Sequence, residues 1–76
     1  MKTIQDKINI TFAELSNKIP TQVQLAEILS VHPTLISHIL KNRRNVAVDH
    51  LQKLAKHLDV SVIINMNPDD IEWFQN

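Results

Sequence analysis

Apolar residues recur at helical steps through most of this chain and switch to alternation near its end. Ile4, Ile8, Phe12, Leu15 and Ile19 fall at steps of four and three, the stripe of an amphipathic helix. Thr3 with Asp6 three residues on marks its start. Pro20 closes it by biasing Ile19 away from the α region. Thr21 with Gln24 repeats the capping signature, and Leu25, Ala26, Ile28 and Leu29 give a second helix its apolar face. After Ser30-Val31-His32, Pro33 stands where a first helical residue has no N–H to lose. Leu35, Ile36, Ile39 and Leu40 then restore the period, which predicts a third helix from about Pro33 to Lys41. Asp49 in a first turn, followed by Leu51, Leu54, Ala55 and Leu58, predicts a fourth from about Val48 to Leu58.

Beyond Leu58 the period changes. Val60, Val62, Ile64 and Met66 alternate within a β-branched run, which predicts a strand over 60–66. A lone strand in an otherwise helical chain has no sheet to join, so its expected partner is the same strand of a second copy across a two-fold axis. Val60, Val62, Ile63, Ile64 and Met66 form the expected dimer interface. Asn67-Pro68-Asp69-Asp70 then reads as a helix start. Residues 67–76 are accordingly expected as an acidic tail, a short helix or disordered chain, with Trp73 and Phe74 as candidate partner-binding side chains. The fold class is all-α: a compact four-helix domain over 1–59 with a helix-turn-helix, and a C-terminal strand pairing across a homodimer.

Length supports the dimer. A single domain of 76 residues buries only about 60–65% of its unfolded surface and is marginal alone. There is no cysteine to staple it. The N-terminus lacks the apolar run of a signal peptide, and no stretch approaches the roughly 20 apolar residues of a membrane span, so the expected localisation is cytoplasmic.

A net charge of zero argues at first against a nucleic-acid partner, but the charges are segregated. Residues 32–57 carry Lys41, Arg43, Arg44, Lys53 and Lys56 against Asp49 alone, whereas from Leu58 onward only Asp59, Asp69, Asp70 and Glu72 are charged. A local basic patch suffices for phosphate binding, because its field reaches about one Debye length, roughly 8 Å at physiological salt. Two short helices joined by a tight turn, with a cationic loop directly after the second, are how small proteins place a helix in the DNA major groove.

Glycine is absent, which makes the turns informative. Asn42 is the residue type that best replaces glycine in a left-handed cap, so the third helix is expected to end there. Ser30 sits in the inter-helix turn, where a left-handed φ costs it more than glycine.

Leu25-Ala26-Glu27, Val31, Ile36-Ser37, Ile39, Asn42, Arg44 and Leu51-x-x-Leu54-Ala55 match the spacing of the Cro/C1 repressor-type, or XRE-like, helix-turn-helix family. The resemblance covers about Thr21 to Val60. Ser30 and Asn42 stand where that family commonly has Gly, Pro33 occupies an early recognition-helix position, and Val46-Ala47 replaces a usual Pro-Ser. A strand in place of the fifth helix resembles the HipB-type antitoxins, which pair it across the dimer and repress their own operon. The resemblance thus implies a sequence-specific, autoregulatory repressor that binds an inverted repeat of double-stranded DNA as a dimer. Two roles fall within it: an antitoxin with a toxin protein as partner, which the strand and tail favour, and a phage or plasmid Cro-like regulator. The alternative class is a protein-interaction module working through the acidic, Trp-bearing tail.

In this docking mode the first residues of the second helix of the pair reach base edges and flanking groups hold phosphates. His32, Pro33, Thr34, Ser37 and His38 are the candidates on or beside that face. Thr34 and Ser37 bond bases in either sense, His38 suits guanine N7 or O6, Pro33 offers only apolar contact, and Leu35 either does the same or packs internally, which its residue type favours. No Arg, Asn or Gln lies on the face itself, which shifts specificity towards Lys41, water and DNA shape. Gln22, at a helix N-terminus, suits a phosphate. Lys41, Arg43, Arg44 and Asn45 form a loop expected to clamp the next phosphates, while Lys53 and Lys56 belong to the solvent face of the fourth helix.

No metal or cofactor is expected. His50 and His57 are seven residues apart on one helix, roughly 10 Å along its axis, too far to share an ion at about 2 Å from each. Nor does the chain read as an enzyme: it lacks Cys and a glycine-rich phosphate loop, and a helix start accounts for its adjacent carboxylates Asp69 and Asp70. A histidine on a DNA face gains charge near phosphate as pH falls. DNA binding is therefore expected to strengthen between about pH 8 and about pH 6, and equal affinities at the two would remove any histidine role of that kind.

Overall fold

A computed structural model describes residues 3–65 and 70–76. Four helices, α1 (Ile4–Ser16), α2 (Gln22–Leu29), α3 (Pro33–Leu40) and α4 (Val48–Leu58), precede two strands, β1 (Val60–Asn65) and β2 (Asp70–Gln75). The cap at Thr3 forms in full and the box expected at Thr21 forms by one of its two bonds. Thr3 and Asp6 make the reciprocal capping box of α1, and the Thr21 hydroxyl accepts from the Gln24 N–H at the start of α2. The first helix ends at Ser16, ahead of the break expected at Pro20, and Asn17 to Ile19 complete a turn through Lys18 N–H to Leu15 and Ile19 N–H to Ser16.

One core joins the elements. Ile8, Phe12 and Leu15 from α1 meet Leu25, Ala26 and Leu29 from α2, Ile36 and Ile39 from α3, and Leu51, Leu54 and Ala55 from α4, with Val46 and Val60 completing the cluster. Ile4, Ile19 and Leu35 are half-buried against it. Leu35 is thus committed largely to packing. Buried Ser16 satisfies its hydroxyl on the Phe12 carbonyl at 2.6 Å, and no described buried side chain lacks a hydrogen-bond partner.

Among the described residues three non-glycines take left-handed backbone: Ser30 at φ 58°, Asn42 at φ 60° and Asp59 at φ 56°. At Ser30 the paired bonds Val31 N–H to Ala26 and Ser30 N–H to Glu27 close a Schellman motif. At Asn42 the same pattern runs from Arg43 to His38 and from Asn42 to Ile39. Asn42 meets the expectation for it. Asp59, which redirects the chain from α4 into β1, was not foreseen.

The C-terminal region departs most from expectation. The tail expected as a short helix or disordered chain is a strand over Asp70–Gln75, antiparallel to β1, with Val60 opposite Gln75, Val62 opposite Trp73 and Ile64 opposite Ile71. The strand thought to need a second copy therefore finds its partner within the chain. Met66 and the helix-start signature at Asn67, Pro68 and Asp69 lie outside the described residues. The alternation in Asp70-Ile71-Glu72-Trp73 was the missed signal, with Ile71 and Trp73 packed against the core and Glu72 exposed.

This pairing reassigns the expected interface residues. Val60 and Val62 belong to their own core and Ile64 is half-buried, whereas Ile63 and Phe74 are exposed at 43% and 49%. Trp73 is not a free binding side chain. It donates from Nε1 to Glu14 at 3.1 Å, and Lys18 Nζ lies 5.6 Å from its ring centroid. Lys7 and Asp70 pair at 3.5 Å, and Asn76 N–H returns to the Asp59 carbonyl at 3.2 Å. Trp73→Ala should cost about 2–3 kcal/mol in urea unfolding, against about 0.5 kcal/mol or less for Phe74→Ala on the outer face. Equal, small effects would mean that the hairpin does not dock in solution.

Candidate nucleic-acid interface

Between α2 and α3 the chain turns by 110°, within the range of paired helices that present the second to a groove. The turn is built from Ser30 in the left-handed cap and from His32, the N-cap of α3, whose Nδ1 accepts from Thr34 N–H at 3.1 Å. Pro33 follows at the first helical position. Ile36 and Ile39 sink into the core and fix the rotation of α3, so its other face points away from the protein. On or beside that face Thr34 is exposed and Pro33, Ser37 and His38 are partly so, with His32 exposed just before it.

The start of α2 lies beside the C-terminal end of α3. A surface hollow of about 320 Å³ is lined by Pro20, Thr21, Gln22 and Leu25 on one side and Leu40 on the other. Gln22, Lys41, Arg43, Arg44 and Asn45 are all exposed. The left-handed turn at Asn42 ends α3 and carries the chain straight into Arg43 and Arg44. Lys53 and Lys56 are exposed along α4, as expected.

A clamp on this loop was not anticipated. Val46 is 1% exposed, and its N–H donates to Asn9 Oδ1 at 3.0 Å. Gln5 Nε2 donates to the same Asn9 oxygen and to the Val46 carbonyl, each at 3.0 Å. Asn9 Nδ2 donates to Asn45 Oδ1 at 3.1 Å. Two carboxamides one turn apart on α1 thus hold the end of the cationic loop. The sequence carried only a faint sign of this, a Gln and an Asn at helical spacing beside a core stripe, because their partners lie 36 to 41 residues away.

No group of three or more His, Cys, Asp or Glu among the described residues is arranged to hold a metal ion. Among those residues no single helix is long and apolar enough to cross a membrane.

An exposed helix face after a sharp turn, flanked by cations, defines the class of a DNA-binding transcription regulator. The model of the Helix-turn-helix family matches residues 21–64, more than half of the chain, and the chain belongs to this Cro/C1-type, XRE-like family. No curated protein and no solved structure matches it. Families of this type bind double-stranded DNA and are typically not enzymes.

Asn9→Ala should free the Val46 N–H and lower stability by about 1–2 kcal/mol, with amide exchange at Val46 rising more than at Leu54 in the core. Unchanged protection at Val46 would show that the clamp does not hold the loop.

Proposed function

We propose that the protein is a sequence-specific transcriptional repressor that binds an inverted-repeat operator as a homodimer and regulates its own gene. The observation that carries this reading is the exposed face of α3 with Lys41, Arg43 and Arg44 directly after it. Pro33, Thr34, Ser37 and His38 then meet base edges, while Gln22, His32 and the Lys41 to Asn45 loop fix the register. Half-sites lie about one helical turn, roughly 34 Å, apart. Dimerisation is supported by the small core of a 76-residue chain and by Ile63 and Phe74 on the outer face of the hairpin. Autoregulation is what the resemblance to Cro/C1-type repressors implies, while β1 itself pairs with β2 within the chain.

The antitoxin role itself loses support from both the strand and the tail, since β1 pairs with β2 within the chain. Trp73 is engaged by Glu14 and Lys18, so Phe74 alone remains as an exposed aromatic for a toxin to meet. The same loss weakens the interaction-module reading. A phage or plasmid Cro-like regulator fits the DNA-facing geometry equally well.

Anisotropy binding to the DNA upstream of the gene, against shuffled DNA, tests the proposal. With three cations per subunit a dimer neutralises about six phosphates, so log affinity should fall with log salt at a slope near −5. Arg43→Ala with Arg44→Ala should move the slope towards about −2 and weaken binding to all sequences. Weak, equal binding to both DNAs, or specific binding with a slope near zero, would refute the repressor.

A further inference from the structure

Two backbone N–H groups set the polarity of two exposed side chains, one at each end of α3. Thr34 N–H can only donate, and its acceptor is His32 Nδ1 at 3.1 Å. That nitrogen must be unprotonated, so the neutral ring carries its proton on Nε2 and offers a donor there. At the other end Val46 N–H donates to Asn9 Oδ1, which turns Asn9 Nδ2 towards Asn45. Asn45 must answer with Oδ1, at 3.1 Å, and its own amide nitrogen is left as the outward group. Gln5 Nε2, bonded to both Asn9 Oδ1 and the Val46 carbonyl, holds the same polarity. The orientation of each amide is thus traced back to a peptide N–H.

We propose that His32 and Asn45 are positioning residues that bracket α3, present N–H donors outward and bond phosphate oxygens of the DNA backbone. The proposal rests on the DNA-binding reading above and names the chemistry of two of its contacts. Phosphate oxygens only accept and recur at every nucleotide, so a site with fixed donors matches them whatever the sequence. Position favours the same partner. His32 precedes the first turn of α3 and Asn45 follows Arg43 and Arg44, so both flank the base-facing stretch from Pro33 to His38. His32 spends the single lone pair of Nδ1 on Thr34 N–H and so cannot also accept from adenine or cytosine amino groups, while the Asn45 oxygen is turned inward towards Asn9.

Long-range proton–nitrogen NMR on the free, full-length protein at neutral pH tests the first half. The expected result is His32 protonated at Nε2, and a ring protonated at Nδ1 overturns the proposal whether or not DNA binds. The second half uses His32→Ser, which keeps a cap for α3 but withdraws the long donor, and Asn45→Asp, which keeps the acceptor for Asn9 but turns an oxygen outward. Each should leave the thermal midpoint nearly unchanged. His32→Ser should weaken binding to upstream and shuffled DNA alike by about tenfold per subunit, and Asn45→Asp by more. A loss confined to the upstream DNA would make these residues base readers and overturn the phosphate assignment, as would no loss at either. Failure of the unaltered protein to bind either DNA would instead refute the repressor reading, and the phosphate role with it, while the tautomer result still judges the geometry.

Discussion

A chain without glycine must make its tightest turns with residues that carry a Cβ, and the rest of this fold depends on where it does so. Ser30, Asn42 and Asp59 each take φ near +60°, a conformation that costs an ordinary L-residue roughly 1–2 kcal/mol. Asn and Asp tolerate it better, through short polar side chains that bond locally. Each of the three sets the direction of the next segment: α3 after Ser30, the cationic loop after Asn42, the hairpin after Asp59. The core holds these turns in place, since Ile36 and Ile39 anchor α3, Val46 anchors the loop and Val60 begins β1 as a core residue. Local strain is thereby converted into the relative placement of the elements.

Polarity is controlled in a similar way. The exposed surface of α3 carries no Lys or Arg, its flanking cations lying in the loop after it, and the strongest bidentate base readers are missing from α3 itself. What it has instead is order in its neutral groups. Backbone N–H donors at Thr34 and Val46 reach outward through His32 and through the Asn9–Asn45 pair, so the orientation of exposed side chains is set from inside the protein. Preorganised donors lose less rotamer freedom on binding than free ones, which matters when the net charge is zero.

The hairpin meets a different need, the small core of a short domain. Trp73 and Ile71 add apolar surface to the core, and Lys7 and Glu14 of α1, with Lys18 just past its end, hold the strand. The acidic end of the chain is therefore part of the domain rather than an appendage. Its outer face still presents Ile63 and Phe74, so the hairpin serves the core on one side and leaves an apolar surface on the other.

Four helices, the caps at Thr3 and Thr21, the left-handed turn at Asn42 and the strand at Val60 were legible in the sequence, because each is set by residues within one or two turns of one another. Apolar steps of three and four fix a buried face, a Thr three residues before an acceptor fixes a start, and β-branched alternation fixes a strand. The segregation of Lys41, Arg43 and Arg44 from the acidic end was equally plain, since charge order needs no fold to read. Tertiary structure alone decided what the strand pairs with, where Trp73 points and which way Asn45 turns its amide. Those outcomes rest on contacts between residues far apart in the chain, from Val62 with Trp73 to Asn9 with Val46, and a local pattern carries no record of the surface brought against it on folding.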